Sequence, residues 1–264
     1  MTKRLVETVG FTWRRMWRAP IGSPSPVWTR QLTLLVLGGA CAVGLLFFID
    51  SAAMDFVLSN RNRLTNWLAW LSDVGKSEWY LFPAFLVYVA TATADWRGVG
   101  YGFKARLVTL FGQAAFVFGC VAVTGIAVNI VKIFVGRARP AFYGEYGAYY
   151  FDPFVVTRYS SSFPSGHATT LGTVAAILMI WFPRHWLLIA IVGLMLSALR
   201  IPAAAHYPSD VNAGYLFGLI VTIVIARFFA ARRVGFRPVP GKLLPAATGL
   251  GRWKWQSAKP REPR

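Results

Sequence analysis

Three stretches of this chain lack Asp, Glu, Lys and Arg for long enough to cross hydrocarbon: Gln31 to Ile49, Leu107 to Val131, and Tyr159 to Pro183, whose later part is the apolar one. A helix that spans a bilayer needs about 20 apolar residues, with a range of roughly 17 to 25. Backbone polar groups inside lipid must be satisfied within the segment, so such runs become helices. Three shorter runs have polar ends: Trp79 to Ala94, His185 to Leu199, and Val211 to Ala226 continuing through Arg227 to Ala230. Together they give six spans. The expected fold class is therefore all-α, a polytopic membrane bundle with interfacial helices. A composition that is 56% apolar over 264 residues excludes an ordinary soluble domain.

Charge placement tests the count, because cytoplasmic loops collect Lys and Arg. With six spans and both termini inside, the inner segments carry 20 of the 28 basic residues against 3 acidic ones (Glu7, Asp95, Glu262). The outer segments carry 8 basic and 7 acidic residues. The net charge of +18 is thus almost wholly a topology signal. A nucleic-acid partner is not expected, since the cations flank spans instead of forming a reading module. Cys41 and Cys120 lie within spans at neither metal nor disulfide spacing.

Residues 1–30 are read as a basic amphipathic segment on the cytoplasmic face, with Leu5, Val9, Trp13 and Trp17 recurring every four residues. Residues 31–231 form the six-helix domain. Residues 232–264 form a basic tail in which Trp253 and Trp255 imply contact with the membrane surface. Between the first two spans, Leu64, Trp67, Leu68 and Leu71 make one apolar helical stripe. That helix is expected in the outer interface, as an anchor or beside a lipid entrance. The segment from Ala141 to Tyr159 interleaves aromatic residues with glycines at the water boundary.

Three motifs stand at the edges of these runs. The first is Lys132 to Pro140, KIFVGRARP. If the helix continued past Gly136, Lys132 and Arg139 would share a face and Arg137 would point away. Two such cations suit phosphate oxygens, as a point charge and a planar fork. Alone, they read equally as a snorkelling lysine with interfacial arginines.

The second motif, Phe163 to His167 (FPSGH), precedes a long apolar helix. Ser165 is a favoured N-cap, Gly166 permits close approach, and the free N–H groups of a helix start bind anions. His167 would project from the first turn towards that anion.

The third, Arg200 to Asp210 (RIPAAAHYPSD), places a cation where it is expensive unless it faces an anion or a polar interior. Pro208 favours a helix start near Ser209 and Asp210. His206 stands four residues before Asp210, and a carboxylate behind an imidazole fixes its tautomer and sharpens the other nitrogen. A simple ion pair between Arg200 and Asp210 would leave His206 unexplained. All three motifs fall on the outer side of the charge-derived topology.

The pattern K-x6-RP, PSGH and R-x5-H-x3-D resembles the signature of the type-2 phosphatidic acid phosphatase family, integral-membrane relatives of vanadium haloperoxidases and bacterial acid phosphatases. The match spans residues 132–210. Leu199 departs from it, since the family usually has Ser before the third-motif arginine, and Ser197 lies two residues earlier.

The resemblance implies hydrolysis of a phosphomonoester or pyrophosphate of a membrane lipid, without metal or other cofactor. His206 would attack phosphorus, Asp210 would steady it, and His167 would protonate the leaving oxygen and then activate water. Lys132, Arg139, Ser165, Gly166 and Arg200 would bind the phosphate. Expected partners are a lipid phosphate and the bilayer, in a bacterial inner membrane with the site facing outward. Phosphatidylglycerophosphate, phosphatidate, undecaprenyl pyrophosphate and lipid A phosphate are candidate substrates. Lipid-to-lipid phosphotransfer and non-catalytic lipid binding are the competing function classes, separated by whether free phosphate is released.

Overall fold

The structure, a computed structural model, describes residues 10, 14, 17–20, 26–95, 98, 100–155, 157 and 159–249. Its longer helices among the described residues are α1 (Arg30–Ser59), α2 (Arg63–Leu71), α3 (Glu78–Thr93), α4 (Tyr101–Val135), α5 (Gly166–Trp181), α6 (Trp186–Ala198) and α7 (Pro208–Ala231), with one short turn of helix at Tyr143–Tyr146. Six of them, all but α2, occupy the six apolar stretches of the sequence. By length and composition α1, α4 and α7 are each sufficient to cross a membrane. α5 and α6 are apolar but shorter, and α3 has 16 residues with Pro83 inside it.

Local chemistry sets the ends. Thr29 caps α1 by accepting from the Leu32 N–H at 3.3 Å. Asn62 and Thr65 form a reciprocal capping box at the start of α2. α2 is the helix anticipated from its stripe, and it exposes Leu64, Trp67 and Trp70. A 3-10 turn, Ser72–Gly75, continues it towards α3.

The centre of the bundle is α5 against α7. Most of α5 is buried, from Ala168 to Ile180, and α7 buries a matching face that includes Val211, Tyr215, Leu219 and Ile223. Three glycines let these backbones touch. A Cβ at Gly172 would overlap the Tyr215 carbonyl, one at Gly214 the Ser165 carbonyl, and one at Gly218 the Thr169 carbonyl. With little hydrophobic drive between helices in lipid, such close backbone packing is a main source of association. Side-chain bonds tie neighbouring helices to this pair. Thr173 donates to Thr124 of α4 at 3.0 Å, and the Tyr215 hydroxyl donates to the Ala190 carbonyl of α6 at 2.7 Å. α1 turns much of its surface outward, with Leu37, Leu45 and Phe48 at least 61% exposed, as a helix facing acyl chains does.

Beyond α7 the chain folds back on the bundle. Phe236–Arg237 pairs antiparallel with Ala246–Ala247, and buried Phe236 packs 4.6 Å from the ring of Phe116. Arg227 anchors both ends of the domain by donating to the carbonyls of Pro26 (2.7 Å), Val27 (2.8 Å), Lys242 (3.1 Å) and Leu243 (2.8 Å). Residues 232–249 are therefore packed, in a part of the chain where sequence alone offered no structure. Of the amphipathic N-terminal segment, Trp17 meets Phe228 edge-on at 6.0 Å and Arg18 donates to the Arg232 carbonyl. Leu5, Val9 and Trp13, and likewise Trp253 and Trp255, lie outside the described residues.

Candidate active site

α4 stops at Val135 because Gly136 takes a left-handed conformation, φ +62°, with the Asp152 carbonyl where a Cβ would be. The helix does not continue to Arg139, so the shared helical face considered for Lys132 and Arg139 does not exist. The turn joins them instead. Lys132 lies in the last helical turn, Arg139 returns across the helix end, and both are within electrostatic range of His206. Arg139 is fixed by its N–H to the Tyr159 carbonyl at 2.8 Å and by Nε to Ser161 Oγ at 3.1 Å.

Ser165 is the N-cap of α5, as the motif implied. Its Oγ accepts from the Ala168 N–H at 3.4 Å, and its own N–H donates to the Asp210 carbonyl at 3.0 Å. That bond joins the second and third motifs directly. Gly166 opens the helix towards Lys132, whose Nζ is 3.7 Å from the place a Cβ would take. His167 follows in the first turn. Its Nε2 is buried without a hydrogen-bond partner among the described residues, and its ring lies within electrostatic range of Arg200, His206 and Asp73.

Arg200 stands in the turn after α6 and donates from Nη1 to Ser72 Oγ at 2.9 Å. Burial lowers its pKa, the nearby Asp73 carboxylate opposes this, and Arg139 adds to it. His206 is 2% exposed. Desolvation pushes its imidazole down to about 4 against the pull of Asp210, with Lys132 and Arg139 acting in the same direction as burial. A neutral imidazole follows at ordinary pH. Its Nδ1 faces Asp210 Oδ2 at 3.7 Å, longer than a hydrogen bond.

What holds Asp210 is a set of groups that sequence reasoning missed. Arg137 donates from Nη1 to Asp210 Oδ1 at 2.6 Å and from Nη2 to Asp50 Oδ2 at 2.7 Å, and all three side chains are fully buried. Ser162 Oγ (2.6 Å) and the Tyr207 N–H (3.0 Å) complete Asp210, while Ser209 completes Asp50 through its N–H (3.0 Å) and its hydroxyl. Arg137 also donates to the Ala148 carbonyl and lies 4.2 Å from the ring centroid of Tyr207, with Phe47 and Phe151 at 5.1 and 5.7 Å. The aromatic segment after Pro140 thus roofs this buried cation, with Tyr143 tied to Ser51 (2.6 Å) and Asp55 (2.9 Å) of α1. The sequence marks their positions but not their pairing: Arg137 is the middle cation of the KIFVGRARP motif, and Asp50 is a carboxylate directly after a charge-free run.

The structure therefore brings Lys132, Arg139, His167, Arg200 and His206 into electrostatic range of one another, with Gly166 beside Lys132, Asp210 behind His206 and Ser165 at the helix start. Three cations and a helix N-terminus are a set of groups that can bind an anion. An imidazole backed by a carboxylate can act as a nucleophile, and a second imidazole can transfer a proton.

The superfamily model described as "PAP2 superfamily" matches residues 113–233, which contain all three motifs. A lipid A 1-phosphatase of Rhizobium johnstonii is 30% identical over 230 residues, 86% of this chain and 91% of that protein. A lipid A 1-phosphatase of Rhizobium etli is 38% identical over 161 residues, 60% of this chain and 69% of that protein. Among solved structures, Aquifex aeolicus LpxE aligns at 20% identity and TM-score 0.44, covering 67% of this chain and 94% of that one. A PAP2-type phosphatidylglycerolphosphate phosphatase from Bacillus subtilis aligns at 19% identity and TM-score 0.46, covering 74% and 92%. With its three motifs inside the matched region and a relative alike along most of both lengths, this chain belongs to the PAP2 superfamily.

Proposed function

We propose that this membrane phosphatase removes the 1-phosphate of lipid A, through a phosphohistidine on His206, at the outer face of a bacterial inner membrane. The observation that carries the chemistry is the meeting of buried His206 with Lys132, Arg139, Arg200 and the α5 N-terminus within electrostatic range. The substrate follows from likeness to the two rhizobial phosphatases, one of which aligns along 86% of this chain.

In the first step His206 Nε2 attacks phosphorus, the nitrogen–phosphorus bond forms, and the bond to the lipid oxygen breaks. His167 gives its proton to that oxygen. Water then attacks the phosphohistidine while His167 takes the proton back, and orthophosphate leaves. Lys132, Arg139, Arg200 and the N–H groups at Gly166 and His167 stabilise the equatorial oxygens throughout. Asp210, oriented by Arg137, holds the imidazole from its Nδ1 side. All six apolar helices cross the bilayer in this reading, both termini face the cytoplasm, and the basic residues of the inner segments agree with it.

The test is phosphate release from purified lipid A, phosphatidylglycerophosphate, phosphatidate and undecaprenyl pyrophosphate, with the His206→Ala protein as blank. The last lipid belongs in the panel because an undecaprenyl-diphosphatase of Sulfolobus acidocaldarius is 40% identical over 58 residues. Lipid A stripped of its 1-phosphate is the expected product. Turnover of another lipid with lipid A untouched overturns the substrate, and no free phosphate from any of them overturns the hydrolase.

A further inference from the structure

Arg200 is the most precarious cation of the site. It stands in a turn, and its Nε is buried with no hydrogen-bond partner among the described residues. Its orientation depends on Ser72, which reaches it from a distant part of the chain at 2.9 Å. Ser72 is 1% exposed, and its hydroxyl proton goes to the Ala69 carbonyl at 2.6 Å. The oxygen therefore presents only lone pairs to Arg200. Leu199, beside the arginine, offers no hydroxyl, and Ser197 is engaged with the Gly193 carbonyl at 2.8 Å.

Three residues further along, the same turn meets the second imidazole. A Cβ at Gly75 would stand 2.9 Å from His167 Cβ and 3.1 Å from the His167 carbonyl oxygen, so the turn lies directly on the start of α5. Asp73, between the two contacts, is held below the usual carboxylate range by a hydrogen bond from Lys76 at 2.8 Å, helped by the charges of Lys76, His167 and Arg200. One short turn thus touches the cation and the proton donor at once. It is also the end of α2, whose Leu64, Trp67 and Trp70 face outward.

We propose that the Ser72–Gly75 turn is a positioning element of the phosphate site, in which Ser72 aims the Arg200 guanidinium and Gly75 lets the turn close on His167. The proposal rests on the phosphatase reading above. Neither residue touches phosphorus or the leaving oxygen; each acts through its neighbour. A hydrogen bond to a charged group, lost in this way, is expected to lower turnover about tenfold.

The experiment uses the full chain in detergent micelles, with two readouts: phosphate release from lipid A and the affinity for orthovanadate, which needs no turnover. Ser72→Ala should weaken both about tenfold with an unchanged melting temperature, and Ser72→Thr should restore them. In an Arg200→Lys background, Ser72→Ala should change vanadate affinity less than about twofold, because the two effects share one path. Gly75→Ala should lower turnover by displacing His167. Wild-type values in Ser72→Ala, or a tenfold loss that persists in the Arg200→Lys background, overturn the proposal while leaving the phosphatase intact. A wild-type protein that neither releases phosphate nor binds vanadate overturns both.

Discussion

Arg137 Nη1 and Asp210 Oδ1 meet at 2.6 Å with both side chains wholly out of solvent, and the same guanidinium binds Asp50 at 2.7 Å. Removing the cation leaves two carboxylates buried and unpaired. Arg137→Ala is expected to destabilise the protein by roughly 3–5 kcal/mol, read as a lower melting temperature in detergent. Arg137→Lys is expected to fail almost as badly, because an ammonium does not present a planar fork to both carboxylates. Melting like the wild type in either variant would mean that the triad adds nothing to stability.

His206→Ala and His167→Ala should separate nucleophile from proton donor. Loss of the nucleophile is expected to lower kcat by at least about a thousandfold, and loss of the general acid by roughly a hundred- to ten-thousandfold. Trapping with substrate radiolabelled in its phosphate, quenched in alkaline detergent because a phosphohistidine is lost in acid, should leave label on the His167→Ala protein and none on His206→Ala. Label on the His206→Ala chain would exclude His206 as the attacking group.

The pH profile follows from burial. His206 is pushed down to about 4, so it stays neutral above that value and is protonated, and lost as a nucleophile, as pH falls through it. Stability changes with the same sign. Below the ordinary imidazole value of about 6.5 the unfolded chain binds a proton that the folded chain refuses, so acid favours unfolding. The acid limb that His206 contributes to kcat/KM is expected near pH 4, and a limb of that group near 6.5 would indicate a solvated imidazole.

Backbone contact between α5 and α7 admits no side chain. Gly218→Val would drive a branched side chain into the Thr169 carbonyl and is expected to cost roughly 2–4 kcal/mol, seen as a lower yield of monodisperse protein. The same change at Gly44 of α1, where a Cβ would have nothing within 4 Å, should be tolerated. Equal behaviour of the two variants would show that helix contact is not limiting.

Turnover is expected to survive dialysis against a strong chelator, because in the proposed mechanism the charges that meet the phosphate come from Lys132, Arg139 and Arg200. Among the described residues no group of three or more His, Cys, Asp or Glu side chains converges. Loss of activity restored by added magnesium would contradict this mechanism.

The helices were legible in the sequence because the physics that selects them is one-dimensional. A run free of charge, a cap such as Ser165 and a proline such as Pro208 each act within a few residues. Lys132, His167, Arg200 and His206 were legible too, as costly groups placed at the edges of apolar runs. Asp50, Arg137 and Ser72 were not, since each gains its meaning from a partner 87, 73 or 128 positions away. A cation in KIFVGRARP looks the same whether it meets substrate or a buried carboxylate. The helical continuation past Gly136 failed for a local reason, a left-handed glycine that ends α4 and brings Arg139 back by a turn.

Of the groups assigned to bond making and breaking, His167 lies in the first turn of α5 and His206 two residues before α7, at the ends of the two rods in direct backbone contact, while Arg139, Ser72 and the aromatic roof sit on connecting segments. A lineage of such enzymes that keeps Arg139 and Ser72 in place is then free to rewrite the rest of its rim, one loop at a time, and acquire new lipid preferences without dismantling the engine underneath.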